Sequence, residues 1–195
     1  LQHAARLGVA GVAAPSANRF GRVSPTTAAH VAAEFGPDLL VLDGGACPVG
    51  IESAIVDCTR EQPALLRPGQ LSRNQLEQIL GQPLAAPDAA SPRASGTLAS
   101  HYAPDARLLV LDTPALRSRL AAAPAGSEQG VAVYSRLAPA AGHGWIWRQM
   151  PTQAAAAAHE LFAVLRELDA AGVGTIWVEQ PPPDPAWDGV RDRLQ

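Results

Sequence analysis

Apolar runs of four to six residues alternate with amphipathic stretches through the first 84 residues, the mark of short strands interleaved with short helices. Val9-Ala10-Gly11-Val12-Ala13-Ala14 reads as a buried strand running into the turn composition Pro15-Ser16-Ala17-Asn18. Ser24 is placed to cap a helix with Pro25 at its first position, carrying Val31 and Phe35 inward and stopping at Gly36. Leu39-Leu40-Val41-Leu42, Ala54-Ile55-Val56-Asp57 and Ala64-Leu65-Leu66-Arg67 read as further strands, the first ended by Asp43-Gly44-Gly45 and the last by Pro68-Gly69. Ser72 with Gln75 three residues on forms a capping box, which predicts a helix from Arg73 to Leu80 with Gly81 as its stop.

The pattern changes twice more. From Gln82 to Pro104 the composition is Pro, Ala, Ser and Gly, a linker whose far end gathers the polar and aromatic groups Ser95-Gly96-Thr97-Leu98-Ala99-Ser100-His101-Tyr102. From Arg107 onward Leu108–Leu111, Val131–Tyr134 and Thr175–Val178 read as strands. Helices run between them from Thr113-Pro114 through Leu120 and from Gln153 to Ala171, the latter with Leu161, Leu165 and Leu168 on one face. Strand–helix alternation of this kind predicts an α/β fold with a small, mainly parallel sheet, so the chain divides into 1–84, a linker 85–104, and 105–195. No G-x-G-x-x-G follows the first strand of the last part, so a dinucleotide is not expected there.

Composition narrows the function classes. With 195 residues, 47% of them hydrophobic, the chain can bury a core, while its net charge of −3 and its lack of a basic stripe argue against stable nucleic-acid binding. No apolar run approaches the roughly 20 residues of a membrane span. Every basic residue is Arg, so no Walker lysine, Schiff base or catalytic ammonium is available. Phosphate must be met by Arg, hydroxyls or backbone N–H. Met150 is the only Met, and Leu1-Gln2-His3-Ala4-Ala5-Arg6 reads as the tail of an amphipathic helix, so the chain is read as part of a longer protein. Cys47 and Cys58 lie in no metal or redox spacing and are expected as buried small hydrophobes in a reducing, cytoplasmic setting. The histidines are scattered, and no metal site is expected.

Four places could carry chemistry. Ser16 and Asn18 offer a hydroxyl and an amide at the C-terminal end of an apolar strand, beside Arg19, Gly21 and Arg22, which suits phosphate oxygens and equally suits an Asx turn with solvated arginines. Ser53, in Gly50-Ile51-Glu52-Ser53, follows glycines that permit close approach of a ligand, or is a hydrogen-bonding strand residue. Arg67 stands where a strand ends, fit for a bidentate phosphate or for a structural salt bridge. His101 and Tyr102 can stack over a planar base or dock on their own domain.

Taken in order, Pro15-Ser16-Ala17-Asn18, Ser24-Pro25-Thr26, Leu42-Asp43-Gly44-Gly45, Val49-Gly50-Ile51-Glu52-Ser53, Leu66-Arg67-Pro68-Gly69 and His101-Tyr102-Ala103-Pro104 resemble the long form of the threonylcarbamoyl-AMP synthase family. The resemblance implies the C-terminal part of a YrdC-like mixed α/β catalytic domain over 1–84, a linker carrying an active-site motif over 85–104, and a small Rossmann-like domain over 105–195. It implies that ATP, threonine and bicarbonate become threonylcarbamoyl-AMP and pyrophosphate, with Mg²⁺ expected on the ATP. A tRNA threonylcarbamoyl transferase machinery is implied as the downstream partner, acting on the adenosine beside the anticodon. By the same resemblance, Ser16, Asn18, Arg67, His101 and Tyr102 meet ATP, Ser53 meets threonine, and no residue is a covalent catalyst. Departures stand out: Ser95-Gly96-Thr97 replaces a common Pro-Gly-Met, Ala54 a common Thr, and the family's Lys-x-Arg motif is absent, so the chain alone is expected to be nearly inactive. An RNA-binding module without catalysis and a carbamoyltransferase-type domain are the alternatives.

Overall fold

In the computed structural model, residues 1–95, 102–123, 130–139 and 145–195 are described. Helices α1 (Gln2–Arg6) and α2 (Ala28–Phe35) precede a two-stranded antiparallel ribbon of β1 (Ile55–Asp57) and β2 (Ala64–Arg67), followed by α3 (Arg73–Leu80). The second part runs β3 (Arg107–Leu111), α4 (Thr113–Ala122), β4 (Val131–Ser135), β5 (Ile146–Gln149), α5 (Ala154–Ala170) and β6 (Thr175–Glu179), and ends in a 3₁₀ turn (Pro185–Trp187) and α6 (Asp188–Arg193). Its four strands are all parallel in the order β3-β6-β4-β5, so the chain is a mixed α/β protein with a parallel sheet, as its alternation predicts.

Local chemistry explains several elements. Ser72 Oγ accepts from Gln75 N while the Gln75 side chain accepts from Ser72 N (2.9 Å), and Gly81 closes α3 in the left-handed conformation. Asp112 caps α4 through Ala115 N (2.7 Å). In α5, Leu161, Leu165 and Leu168 are buried beside Phe162 on the face toward the core. Burying each such leucine stabilises by roughly 1.5–3 kcal/mol. That core is continuous with the first part of the chain, because Val23, Ile51 and Tyr102 belong to the same buried cluster as α5, Trp187, Val190 and Leu194.

Elsewhere the structure corrects the sequence pattern. Val9–Ala14 and Leu39–Leu42 form no strand, and Val9, Val12, Leu39, Leu40 and Leu42 are exposed. An apolar run becomes a strand only when a neighbouring strand takes up its backbone N–H and C=O groups, and no strand among the described residues pairs with either run. The cap of α2 is Thr27, not Ser24: Thr27 Oγ1 accepts from His30 N (3.2 Å), while Ser24 Oγ is drawn away to Glu52 (2.5 Å). Phe35 is exposed and Val31 half-buried, so this helix does not bury the expected face. Cys47 and Cys58 are both exposed, each lying in loop rather than core. The edge strand β5 carries little apolar signal in sequence, because two apolar residues are followed by two polar ones.

Candidate functional site

The loop after residue 15 folds on itself. Ser16 Oγ donates to Asn18 Oδ1 (2.5 Å), and Asn18 Nδ2 donates to the carbonyls of Arg19 (3.1 Å) and Arg22 (3.0 Å), with Ala17 between them at φ 55°. The Asn18 side chain thus closes a local turn onto backbone carbonyls, and the Ser16 side chain is left exposed. Ser16 lines an open hollow of about 180 Å³ with Thr26, Thr27, Val31, Gly44 and Cys47. Neither Asn18 nor Arg67 lines it. The far side of the loop reaches the end of the linker and the residue after it: Ala103 N donates to Gly21 O (2.9 Å), and Arg22 pairs with Asp105.

Arg67 lies elsewhere, buried at the end of β2. Its Nε and Nη2 donate to Ser53 O (3.2 and 2.9 Å), and its Nη1 donates to Ser95 O (2.9 Å) and the Tyr102 hydroxyl (3.3 Å). Thus the structure brings Arg67, Ser53 and Tyr102 together, with Ser53 contributing its carbonyl and exposing its side chain. Four of the five guanidinium N–H donors are engaged by these contacts. Tyr102 is buried against Phe162 (ring centroids 5.1 Å), and burial pushes its phenol above the usual value, with the Glu52 charge adding to the rise. His101 lies outside the described residues.

A second polar layer, not singled out by sequence spacing, backs this cluster. Glu52 accepts from Ser24 Oγ (2.5 Å) and from Arg193 Nε (2.9 Å), joining residues 141 positions apart. Arg193 also donates to Pro68 O (2.9 Å), Asp192 (2.6 Å) and Glu52 O (3.2 Å), and its guanidinium lies over the Tyr102 ring at 5.2 Å. Burial raises the Asp192 carboxyl above its ordinary value, against the opposing pull of Arg193. The signal was present in Asp192-Arg193-Leu194 at the chain's end, but nothing in sequence paired it with Glu52. Beside it, Arg166 of α5 donates to the carbonyls of Val23 and Ser24 and to Glu34 (2.6 Å). Burial alone lifts the Glu34 carboxyl, but bonds from Arg166 and Arg19 outweigh it and hold the group below its usual value. An open cleft of about 350 Å³ lies there, lined in part by Arg19, Arg22, Glu34, Asp105 and Arg166.

From sequence, Gly50 permits close approach of a ligand. The structure uses it for packing: a Cβ there would come within 2.1 Å of the His159 carbonyl oxygen in α5. Among the described residues no cluster of three or more His, Cys, Asp or Glu side chains could hold a metal ion, and no helix is long and apolar enough to cross a membrane.

Residues 71–195 match the family model described as "Threonylcarbamoyl-AMP synthase, C-terminal domain", and residues 2–69 match one described as "Telomere recombination". Among curated proteins, the chain is 39% identical over 109 residues to threonylcarbamoyl-AMP synthase of Pyrococcus abyssi, covering 53% of this chain and 32% of that protein. It is 37% identical over 107 residues to the Bacillus subtilis protein of the same name, covering 52% and 31%. The matched stretch thus spans about a third of the length of these relatives. Among solved structures, it superposes on P. abyssi Sua5 complexed with L-threonine with a TM-score of 0.75 and 29% identity, covering 92% of this chain and 55% of that one. A P. abyssi Sua5 variant with an adjacent histidine and tyrosine changed to alanine matches with a TM-score of 0.73 and 28% identity, covering 92% of this chain and 54% of that one.

Proposed function

Because the chain belongs to the threonylcarbamoyl-AMP synthase family, we propose that the protein carrying it makes L-threonylcarbamoyl-adenylate from L-threonine, bicarbonate and ATP, with release of pyrophosphate. The observation that carries this reading is the convergence of Arg67, the Ser53 backbone and Tyr102 in one buried cluster, within a chain most of which matches that family. L-Threonine in the P. abyssi Sua5 structure supports the amino-acid substrate.

In this reaction the carboxylate of threonine carbamate attacks the α-phosphorus of ATP and pyrophosphate departs, so no covalent nucleophile is required. Catalysis rests on alignment and on neutralising the charge that develops on the phosphates. Arg67 supplies fixed positive charge, and a phosphate oxygen reaching its Nη1 replaces the Ser95 carbonyl or the Tyr102 hydroxyl there. Ser16 and Asn18 hold other nucleotide oxygens once a ligand breaks their mutual hydrogen bond, His101 and Tyr102 cover the base, and Ser53 faces threonine. Mg²⁺ bound with ATP would neutralise charge on its phosphates; Glu52 and Asp192 are both paired with Arg193, so the nucleotide rather than these carboxylates would hold the ion. The product feeds a tRNA threonylcarbamoyl transferase machinery in the cytoplasm, and the chain itself holds no tRNA stably.

The test is pyrophosphate release by the protein carrying this chain. Release should require threonine and bicarbonate together, and Arg67→Ala should lower kcat/KM roughly a hundredfold. Release that ignores threonine, or survives Arg67→Ala unchanged, would overturn the assignment. The 195 residues contain no lysine to share the phosphate charge, and this stretch assayed alone should release little pyrophosphate.

A further inference from the structure

We propose that Arg193, in the last turn of α6, is a positioning residue for the nucleotide site, holding Glu52 and Tyr102 so that Tyr102 stays seated against Arg67. The proposal rests on the reading that Arg67 and Tyr102 meet the nucleotide, and it gives the small domain a part in that site.

Arg193 is 1% exposed. A guanidinium taken fully out of water is costly unless its donors are matched, and well-packed apolar residues usually serve simple domain packing at least as well. Its acceptors point to another purpose. Apart from its sequence neighbour Asp192, every one lies beside a candidate site residue: the carboxylate and carbonyl of Glu52 precede Ser53, and the carbonyl of Pro68 follows Arg67. The fork therefore spans both sides of the β1–β2 ribbon, gripping the stretches that carry Ser53 and Arg67.

The second observation is the backbone of Tyr102. It adopts φ 59°, a left-handed conformation that a bulky side chain takes only when its surroundings dictate it. Those surroundings include Arg67 at the hydroxyl, Phe162 of α5 against the ring, and Arg193 over the ring face. Phe162 and Arg193 belong to the small domain. The third observation fixes α6 itself. A Cβ at Gly189, one turn before Arg193, would come within 2.7 Å of the Gly69 carbonyl oxygen and 2.8 Å of the Ile51 side chain. Helix α6 thus lies in contact with the Arg67-Pro68-Gly69 turn, and a small displacement of either is felt by the other.

Arg193→Met and Arg193→Lys in the protein carrying this chain test the proposal by two routes. In hydrogen exchange without nucleotide, Arg193→Met should speed exchange over residues 51–56 and 102–106 while α5 and the parallel sheet keep wild-type protection. Lys, which keeps the charge but loses the fork, should fall between. In steady-state pyrophosphate release, Arg193→Met should lower kcat/KM for ATP by roughly ten- to a hundredfold, with partial recovery in the Lys variant. If Met unfolds the domain, the Lys variant carries both measurements. Unchanged exchange at 51–56 and 102–106, or a loss of protection spread evenly through α5 and the sheet, would overturn the positioning role. Wild-type protein that releases no threonine-dependent pyrophosphate would instead overturn the proposed reaction, and the exchange result would still decide whether Arg193 holds Tyr102.

Discussion

At Gly50 two constraints meet: the backbone sits at φ +86°, and the space a side chain would fill is occupied by the Ala158 and His159 carbonyls of α5. Gly50→Ala should therefore destabilise the protein by about 3 kcal/mol or more, since neither the backbone conformation nor the helix can give way cheaply. A lower denaturation midpoint with an unchanged slope would show it; an unchanged midpoint would mean that α5 is free to shift. From sequence this glycine could be recognised as a point of close approach, but not what approaches. The same limit applies to Arg67. Its place at a strand end was legible, whereas its engagement by Ser53, Ser95 and Tyr102 depends on segments 14 to 35 residues away.

Strand β6 shows how one element organises its neighbours. Its last residue, Glu179, is buried and accepts from Thr113 (2.6 Å), Ser135 (2.8 Å), and both the backbone (2.7 Å) and guanidinium (2.7 Å) of Arg136. Burial alone would raise this carboxyl, but these bonds outweigh it and hold it below its ordinary value of 4.5. A carboxylate whose pKa is lower folded than unfolded stabilises fully above its unfolded value, and that contribution drains away as the pH falls through the folded value. Denaturation measured from pH 7 downward should show stability falling below about 4.5. Glu179→Gln should cost about 2–3 kcal/mol at neutral pH and flatten that acid dependence. An equally steep acid loss in the Gln variant would assign it to other carboxylates. The strand itself was legible because Ile176 and Val178 stand in a short apolar run; the role of Glu179 was not, because its partners lie on α4, at the end of β4 and just after it.

Across the whole molecule, the two parts of the chain are joined by buried contacts rather than by the linker alone. Arg166 crosses from α5 to the carbonyls of Val23 and Ser24 and to Glu34, and Arg193 crosses from α6 to Glu52 (2.9 Å) and the Pro68 carbonyl (2.9 Å). Arg166→Met should leave Glu34 Oε2 and two carbonyls without the Arg166 donors, costing about 2–3 kcal/mol, and should open residues 22–34 to proteolysis before the parallel sheet. Simultaneous cleavage throughout would show that the two parts do not separate. The capping box of α3, the α5 stripe and strands β3, β4 and β6 could be read directly from residue order, since each depends on neighbours within about one turn or on a short apolar run. The family could be read too, from motifs kept in order along the chain. Whether Val9–Ala14 and Leu39–Leu42 become strands, and which carboxylate meets Arg193, could not be read: backbone pairing and burial of charge are satisfied by groups distant in sequence, and only folding brings those groups within hydrogen-bond reach.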